Sequence, residues 1–295
     1  MIFDAAKRGL LLWFEQLIPS LLPFIICSNL LISLLGNMGH HASGSGKISA
    51  WTKRFLGFSP MGIYALCMGH LCGYPAGAKI TADLFLRNQI SKKEADDLLM
   101  TANQASPAFL ASYLTIYTLD NPALLIPVFC IFYGATLITA CIIRFLPQKQ
   151  NMTNTRIVCA ETNQSFMQLV DYSIVDGFST MIRVGGYVIL FSILSAFAVK
   201  LFSWTGNLKY LISSILEMTN GLDLLKSAPY SIHMKWLAAM GCTAFGGFST
   251  MAQIKGMLIG TPLSIKPYII GKCIYTVVVL LISELFFRIS FVIFQ

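Results

Sequence analysis

The chain has 295 residues, of which 56% are hydrophobic and only 12% charged, with a mean hydropathy of +0.69. Soluble domains carry about 25% charged residues, so this composition excludes an ordinary water-soluble globule and describes a polypeptide held mostly in lipid. The 21 Lys and Arg against 13 Asp and Glu give a formal charge of +8. These cations are scattered among apolar runs, without the aromatic-interleaved basic stripe of a nucleic-acid binder, and basic loops beside anionic headgroups account for them.

The first apolar run, about Gly9 to Leu35, reads as a retained membrane helix rather than a cleaved leader, because Glu15 interrupts it and no small-residue cleavage site follows. Pro19 and Pro23 each remove an amide donor, which predicts a kink near Ser20. A polar loop, Gly36 to Lys53, follows with His40-His41 and Ser43-Gly44-Ser45-Gly46. Between Phe58 and Leu86 an apolar segment is broken by Gly69, Gly73 and Gly77. The pieces on either side are too short to cross about 30 Å of hydrocarbon, so a re-entrant hairpin or an unwound helix is predicted.

Ser91-Lys92-Lys93-Glu94 has the form of a capping box opening the next helix. That helix is predicted to run on into Asn103-Gln104-Ala105-Ser106-Pro107, a polar cluster between apolar flanks. Another helix covers about Pro122 to Phe145, and a connector rich in Asn, Thr and Gln separates two halves. The second half opens with a span near Phe178 to Val199. It continues through Leu208 to Leu225, with Glu217-Met218-Thr219-Asn220-Gly221 at its centre. A second broken segment, Trp236 to Ile259, carries Gly246-Gly247-Phe248-Ser249-Thr250, and a final helix runs from about Tyr268 to Phe294.

Setting Gly73-Tyr74 against Gly247-Phe248 gives an offset of about 174 residues and puts Lys79 opposite Gln253. Interrupted apolar segments at matching places in two halves point to the binding site of a secondary transporter. The expected fold is an all-α polytopic membrane protein of two repeats, residues 1–146 and 172–295, joined by a polar connector at 147–171. The repeats contain discontinuous helices or re-entrant hairpins, and inversion of one against the other is common in transporters.

Several stretches together resemble the YlbJ-type sporulation integral membrane proteins, within the wider group bearing the Gate, or nucleoside-recognition, domain. These are Leu17-Ile18-Pro19-Ser20-Leu21-Leu22-Pro23-Phe24, Gly73-Tyr74-Pro75-Ala76-Gly77-Ala78-Lys79, Asn103-Gln104-Ala105-Ser106-Pro107, Glu217-Met218-Thr219-Asn220-Gly221 and Gly246-Gly247-Phe248-Ser249. The resemblance spans almost the whole chain in the same order. It implies an architecture similar to concentrative nucleoside transporters. It further implies a part in spore formation, in the mother-cell or outer forespore membrane, moving dipicolinic acid, a pyridine dicarboxylate, towards the spore.

The candidate substrate-binding residues are Gly73, Tyr74, Pro75, Gly77, Lys79, Asn103, Gln104, Ser106, Glu217, Asn220, Gly246, Gly247, Ser249 and Thr250. Lys79 is the expected partner of a substrate carboxylate, against a rival reading as a snorkelling surface lysine. The glycines permit unwound backbone or, for Gly73 and Gly77, close small-residue packing. Glu217, an acid in an apolar setting, has three open roles: proton or sodium coupling, an ion pair with Arg183 or Lys79, or a helix-end position in water. Asn103, Gln104, Ser106, Ser249 and Thr250 offer amides and hydroxyls that orient a ligand or merely join helices. Pro107 is expected to free the carbonyl of Asn103.

The leading expectation is a transporter of a small anionic metabolite, dipicolinate first, seated in the lipid bilayer of the cell membrane. The alternatives are a nucleoside or related solute, and a non-transporting membrane scaffold of a sporulation complex. No enzyme motif, cofactor or metal site is expected, since the eight cysteines show no C-x-x-C pair or zinc spacing. The coupling ion, H+ or Na+, stays open, as does assembly into a homo-oligomer.

Overall fold

Proline placement decides the shape of the first helix. A computed structural model describes residues 2–37, 57–145, 165–202 and 208–293, and among them every regular element is helical. Helix α1 (Ile2–Leu11) passes through a π-helical stretch (Leu12–Leu17) into α2 (Ile18–Asn37), with Pro23 inside it. The irregularity therefore lies upstream of the expected kink at Ser20, where Pro19 withholds a donor from the preceding turn. The loop expected to contain His40-His41 lies outside the described residues.

Helix α3 (Pro60–Cys72) starts at Ser59, whose hydroxyl accepts from Gly62 N at 3.1 Å, with Pro60 at the first helical position. After Gly73-Tyr74-Pro75, α4 (Ala76–Leu86) turns back along α3. A Cβ added to Gly69 would meet the carbonyl oxygen of Ala102 at 2.2 Å, and one on Gly77 the same atom at 2.0 Å. Those two positions thus lie within about 4 Å, where eight residues of continuous helix would span about 12 Å. The first broken segment is a hairpin.

Helix α5 (Lys92–Thr101) follows. Only half of the expected capping box forms: Ser91 Oγ accepts from Glu94 N at 3.2 Å, but Glu94 Oε1 accepts instead from Ser59 N at 2.6 Å, tying α5 to the start of α3. The polar cluster was expected inside a continuing helix; instead the helix stops at Thr101, and Asn103–Ser106 is extended, mostly buried chain. Pro107 disfavours helical backbone at Ser106 and opens a new helix capped by Ser106, so Pro107 is not the donor-less partner of Asn103. This helix, α6 (Pro107–Phe109), continues as a π-helical stretch (Leu110–Thr118). A 3-10 turn (Pro122–Leu124) leads to α7 (Leu125–Arg144).

Helix α8 (Phe166–Leu201) is longer than the sequence suggested. A capping box at Ser165 and Gln168 starts it inside the expected connector; residues 147–164 of that connector lie outside the described residues. Helices α9 (Leu208–Leu216) and α10 (Met218–Lys226) form a second hairpin with Glu217 at its tip. Here a Cβ on Gly221 would lie 2.4 Å from Ser214 Cα. The moderately apolar segment Leu208 to Leu225 is thus two antiparallel half-helices. Helices α11 (Ile232–Phe245) and α12 (Gly247–Met257) meet at Gly246, in left-handed backbone at φ 79°, and α13 (Lys266–Ile293) ends the described chain.

Three stretches are long and apolar enough to cross a membrane: Pro122–Arg144, Phe166–Leu201 and Lys266–Ile289. Only 39%, 28% and 33% of their most apolar windows are buried inside the protein, leaving outward faces for lipid. Two apolar cores lie within. One joins α2, α3, α4 and α5 to α8 and α12; the other joins α6 and α7 to α10, α11 and α13. Both cores draw on residues before and after the connector. The chain α5–α6 crosses from the first core to the second at Asn103–Ser106, and α11–α12 crosses the opposite way at Gly246.

Candidate functional site

Each hairpin tip rests on the break in the helix that follows it. At the first junction Tyr74 N donates to Gln104 O at 3.1 Å, while Gly73, at φ 79°, lies so near Ser106 that an added Cβ would sit 2.9 Å from its amide nitrogen. Gly77 faces Ala102 O and Asn103 Oδ1. At the second junction Gly247, at φ 81°, faces the carbonyl oxygens of Ser214, Ile215 and Leu216, which end α9. Only glycine adopts such backbone without strain and admits so close a neighbour.

The two junctions also touch. Tyr74 Oη donates to Met218 Sδ at 2.9 Å, and Tyr113 Oη to Thr219 O at 3.1 Å. Tyr74 packs against both apolar cores. Beside these contacts lies a cavity of about 730 Å³, bounded by both hairpin tips, α6, α12, the first helix and α8. That volume is in the range of small-molecule sites, about 300–1,000 Å³. Phe109, Tyr113 and Tyr117 form one aromatic wall, with successive ring centroids 5.1 Å apart.

Of the sequence candidates, Gly73, Tyr74, Ser106, Glu217, Asn220 and Thr250 line this cavity. Pro75, Gly77, Asn103, Gln104, Gly246, Gly247 and Ser249 stand behind it, building the junctions. Asn103 Nδ2 donates to Leu99 O at 3.2 Å, Gln253 Nε2 to Ser249 Oγ at 3.1 Å, and Thr250 Oγ1 to Gly246 O at 2.8 Å. Gln253 itself lines the cavity.

Lys79 is not among the lining residues. Its Nζ lies 2.7 Å from Asp83 Oδ2 and 2.9 Å from Asp176 Oδ2, and Asn29 Nδ2 donates to Asp176 at 2.8 Å. Two carboxylates already neutralise this ammonium and dock α4 against α8 and α2, which corrects its expected role as a substrate's counterion. The i, i+4 relation of Lys79 and Asp83 was legible in sequence; the partner from α8 was not.

Glu217 stands at a helix end, but at 5% exposure it is buried and not in water as that reading expected. It has extended backbone and caps α10: its Oε2 accepts from Asn220 N at 2.8 Å and from Thr219 Oγ1. Thr219 also gives this carboxylate a backbone hydrogen bond, and Glu217 lines the cavity. Neither suggested cation reaches Glu217, since Lys79 is paired elsewhere and Arg183 Nη1 donates to Gly256 O at 2.7 Å.

Sequence reasoning missed Arg8, Glu15, Asp223 and the wall tyrosines, all of which line the cavity. It also missed Lys272, completely buried on α13, whose Nζ donates to Gln104 Oε1 at 2.8 Å and to Ala244 O at 3.1 Å. The signal was present: Lys272 is the one charge between Tyr268 and Ser283, in an otherwise apolar run. Among the described residues the cavity's charges are Arg8 against Glu15, Glu217 and Asp223, an acidic lining.

No protein-family model matches the chain, and no solved structure matches it. The chain is similar to the sporulation integral membrane protein YlbJ of Bacillus subtilis (strain 168), with 28% identity over 304 aligned positions covering 92% of this chain and 74% of the relative. This likeness supports the YlbJ-type family and, with the three candidate spans, a place in a membrane.

Proposed function

We propose, starting from the likeness to a sporulation membrane protein, that this chain carries a small polar aromatic metabolite across a membrane, and that dipicolinate is the first solute to try. One observation carries the reading: four interruptions of helix, at Gly73–Pro75, Asn103–Ser106, Glu217 and Gly246, converge around one cavity whose mainly apolar wall carries charged and hydroxyl groups. Non-helical backbone at membrane depth is tolerated where it is buried in protein or lines a watery space, and transporters bind substrate at such discontinuities.

The order of elements adds support. Each half has a long helix, a hairpin, a broken helix and a long helix, namely α2, α3–α4, α5–α6, α7 and then α8, α9–α10, α11–α12, α13. We read these as two repeats of the Gate type, similar to concentrative nucleoside transporters. In that pairing Gly73–Pro75 corresponds to Glu217, and Asn103–Ser106 to Gly246-Gly247, rather than Gly73 to Gly247. Movement of one hairpin and broken-helix pair against the other would expose the cavity to alternate sides.

The lining favours some solutes over others. A bare dianion would face three carboxylates with one guanidinium to hold it, so dipicolinate fits best with its carboxylates protonated or cation-paired. A nucleoside needs no such balance: the Glu217 carboxylate on the cavity wall suits hydroxyl donors, and the wall of Phe109, Tyr113 and Tyr117 suits a flat base. That acidic lining is the specific reason to keep the nucleoside as second reading. Purified protein in liposomes is loaded with labelled dipicolinate or uridine. Saturable flux of either, lowered at least tenfold by Glu217→Ala at equal incorporation, supports transport and names the class. Absence of flux for both solutes leaves the scaffold reading.

A further inference from the structure

Lys272 lies at the point where the two broken helices pass between the apolar cores. One of its acceptors, Gln104 Oε1, belongs to the extended chain between α5 and α6; the other, Ala244 O, belongs to the last turn of α11, just before the Gly246 break. Three ring faces also lie near it: Tyr74 and Tyr275 each at 5.3 Å from Nζ to centroid, and Tyr268 at 5.9 Å. Gly271 brings α13 close enough for this, since an added Cβ would stand 2.6 Å from Met100 Cα at the end of α5. Every hydrogen bond that Nζ makes among the described residues is to a neutral oxygen.

This is the chemistry of a cation seat. The last carbonyls of a helix carry the negative end of its dipole, an amide oxygen adds a second hard ligand, and aromatic faces attract an ammonium ion. In transporters, unwound carbonyls and half-helix C-terminal ends are where a coupling Na+ or H+ is held. We infer that the Lys272 side chain, as a tethered ammonium, occupies this seat in place of a free cation, so that the protein works without Na+ and the two breaks are joined by a group of its own. The inference rests on the transport reading for its meaning in the cycle, but the seat itself is tested without any substrate.

The seat also explains the position of Tyr74. Its ring covers Lys272 on one side and lines the cavity, so the tethered charge lies one ring away from the substrate space. Its hydroxyl meets Met218 of the second hairpin. Any movement that separates the hairpin tips therefore also alters the cover over Lys272.

The test uses purified full-length protein in detergent. Wild-type thermal midpoint is compared in sodium, potassium and choline chloride at equal ionic strength, and no difference is expected. Lys272→Ala empties the seat and lowers the midpoint. Propylammonium or Na+ should restore it saturably, by about 5 °C at roughly a hundredfold excess over half-saturation, whereas bulky tetramethylammonium should not. Lys272→Ser repeats the measurement if the alanine variant does not purify. Saturable stabilisation of the wild type by Na+ overturns the inference, and so does a vacated seat that responds to neither small cation. In liposomes, solute flux that requires a Na+ gradient also overturns it while leaving transport intact. Rescue of the vacated seat with no flux of any solute sinks the transport reading and leaves the seat standing.

Discussion

The two hairpins solve one packing problem with opposite residues. In the first junction the glycines are on the hairpin, Gly69, Gly73 and Gly77, and the polar side chains Asn103 and Gln104 are on the broken helix. In the second the hairpin carries the polar group, Glu217, and the glycines, Gly246 and Gly247, belong to the broken helix. What each junction requires is close approach of two main chains plus a hydrogen-bonding group for the opened turn, and either partner can supply either part. Docking differs too. The first hairpin is held to α8 by the Lys79–Asp176 ion pair, the second by the neutral pair Ser195–Ser213 and a 3.4 Å contact from Asn220 Nδ2 to Ser192 Oγ. The first is joined to α8 through opposite charges and the second through neutral groups.

Removing the ion pair should have the largest effect. Lys79→Met leaves Asp83 and Asp176 facing each other at 20% and 25% side-chain exposure, and the cost of breaking so partly buried a pair from one side falls between the ~1 kcal/mol of an exposed pair and the ~3–5 kcal/mol of a fully buried one. A severe drop in thermal midpoint or in folded yield is expected, with partial recovery in Lys79→Met/Asp83→Asn. An unaffected midpoint would show that charge does not distinguish the two hairpins.

Next in size is a substitution at close approach. Gly77→Ala puts a methyl group 2.0 Å from Ala102 O, an overlap that the backbone must relieve at about 1–3 kcal/mol. Gly134→Ala is the control, because nothing lies within 4 Å of its added Cβ, and a helical Gly→Ala change should instead stabilise by about 0.5–1 kcal/mol. Midpoints that move together in these two variants would deny that Gly77 is there for contact.

That glycine result bears on what the sequence could tell. Glycine breaks at Gly73 and Gly246 were legible because two apolar segments were visibly interrupted, and the need for discontinuous helix followed from the bilayer. The pairing of the breaks was not legible. Matching Gly73 with Gly247 aligned a hairpin tip with a broken helix, since glycine marks the contact surface and not the element that owns it. Glu217 stood out as an acid among apolar residues, but its helix-cap role depends on the chain reversing at that residue, which local hydropathy does not encode. Lys79 followed a glycine motif, and only the fold brings Asp176 to it from about a hundred residues away. The cavity's Arg8, Glu15 and Asp223 sit on ordinary helical faces, and tertiary packing alone brings them together.

The cap itself separates stability from transport. Glu217→Ala removes the acceptor for Asn220 N and the partner of Thr219, and loss of an N-cap costs about 0.5–2 kcal/mol. Glu217→Gln keeps an oxygen acceptor and should restore most of the midpoint. If the carboxylate also serves the solute, the glutamine variant stays folded while its apparent KM rises; an unchanged KM would confine Glu217 to capping.

The smallest effect on stability tests the neutral docking of the second hairpin. The Ser195 and Ser213 hydroxyls lie 2.8 Å apart and are buried. Removing one would strand the other, but replacing both with alanine removes donor and acceptor together, which is nearly neutral for folding. Ser195→Ala/Ser213→Ala should therefore keep its midpoint to within about 0.5–1 kcal/mol. Hydrogen exchange supplies the sensitive readout, because local opening is governed by the contacts of the element concerned and not by global stability. Amides of α9 and α10 should exchange faster than those of α3 and α4 in the wild type, and faster again in the double variant, with α3 and α4 unchanged. Equal protection of both hairpins would mean that neutral hydroxyls hold as firmly as the Lys79 ion pair.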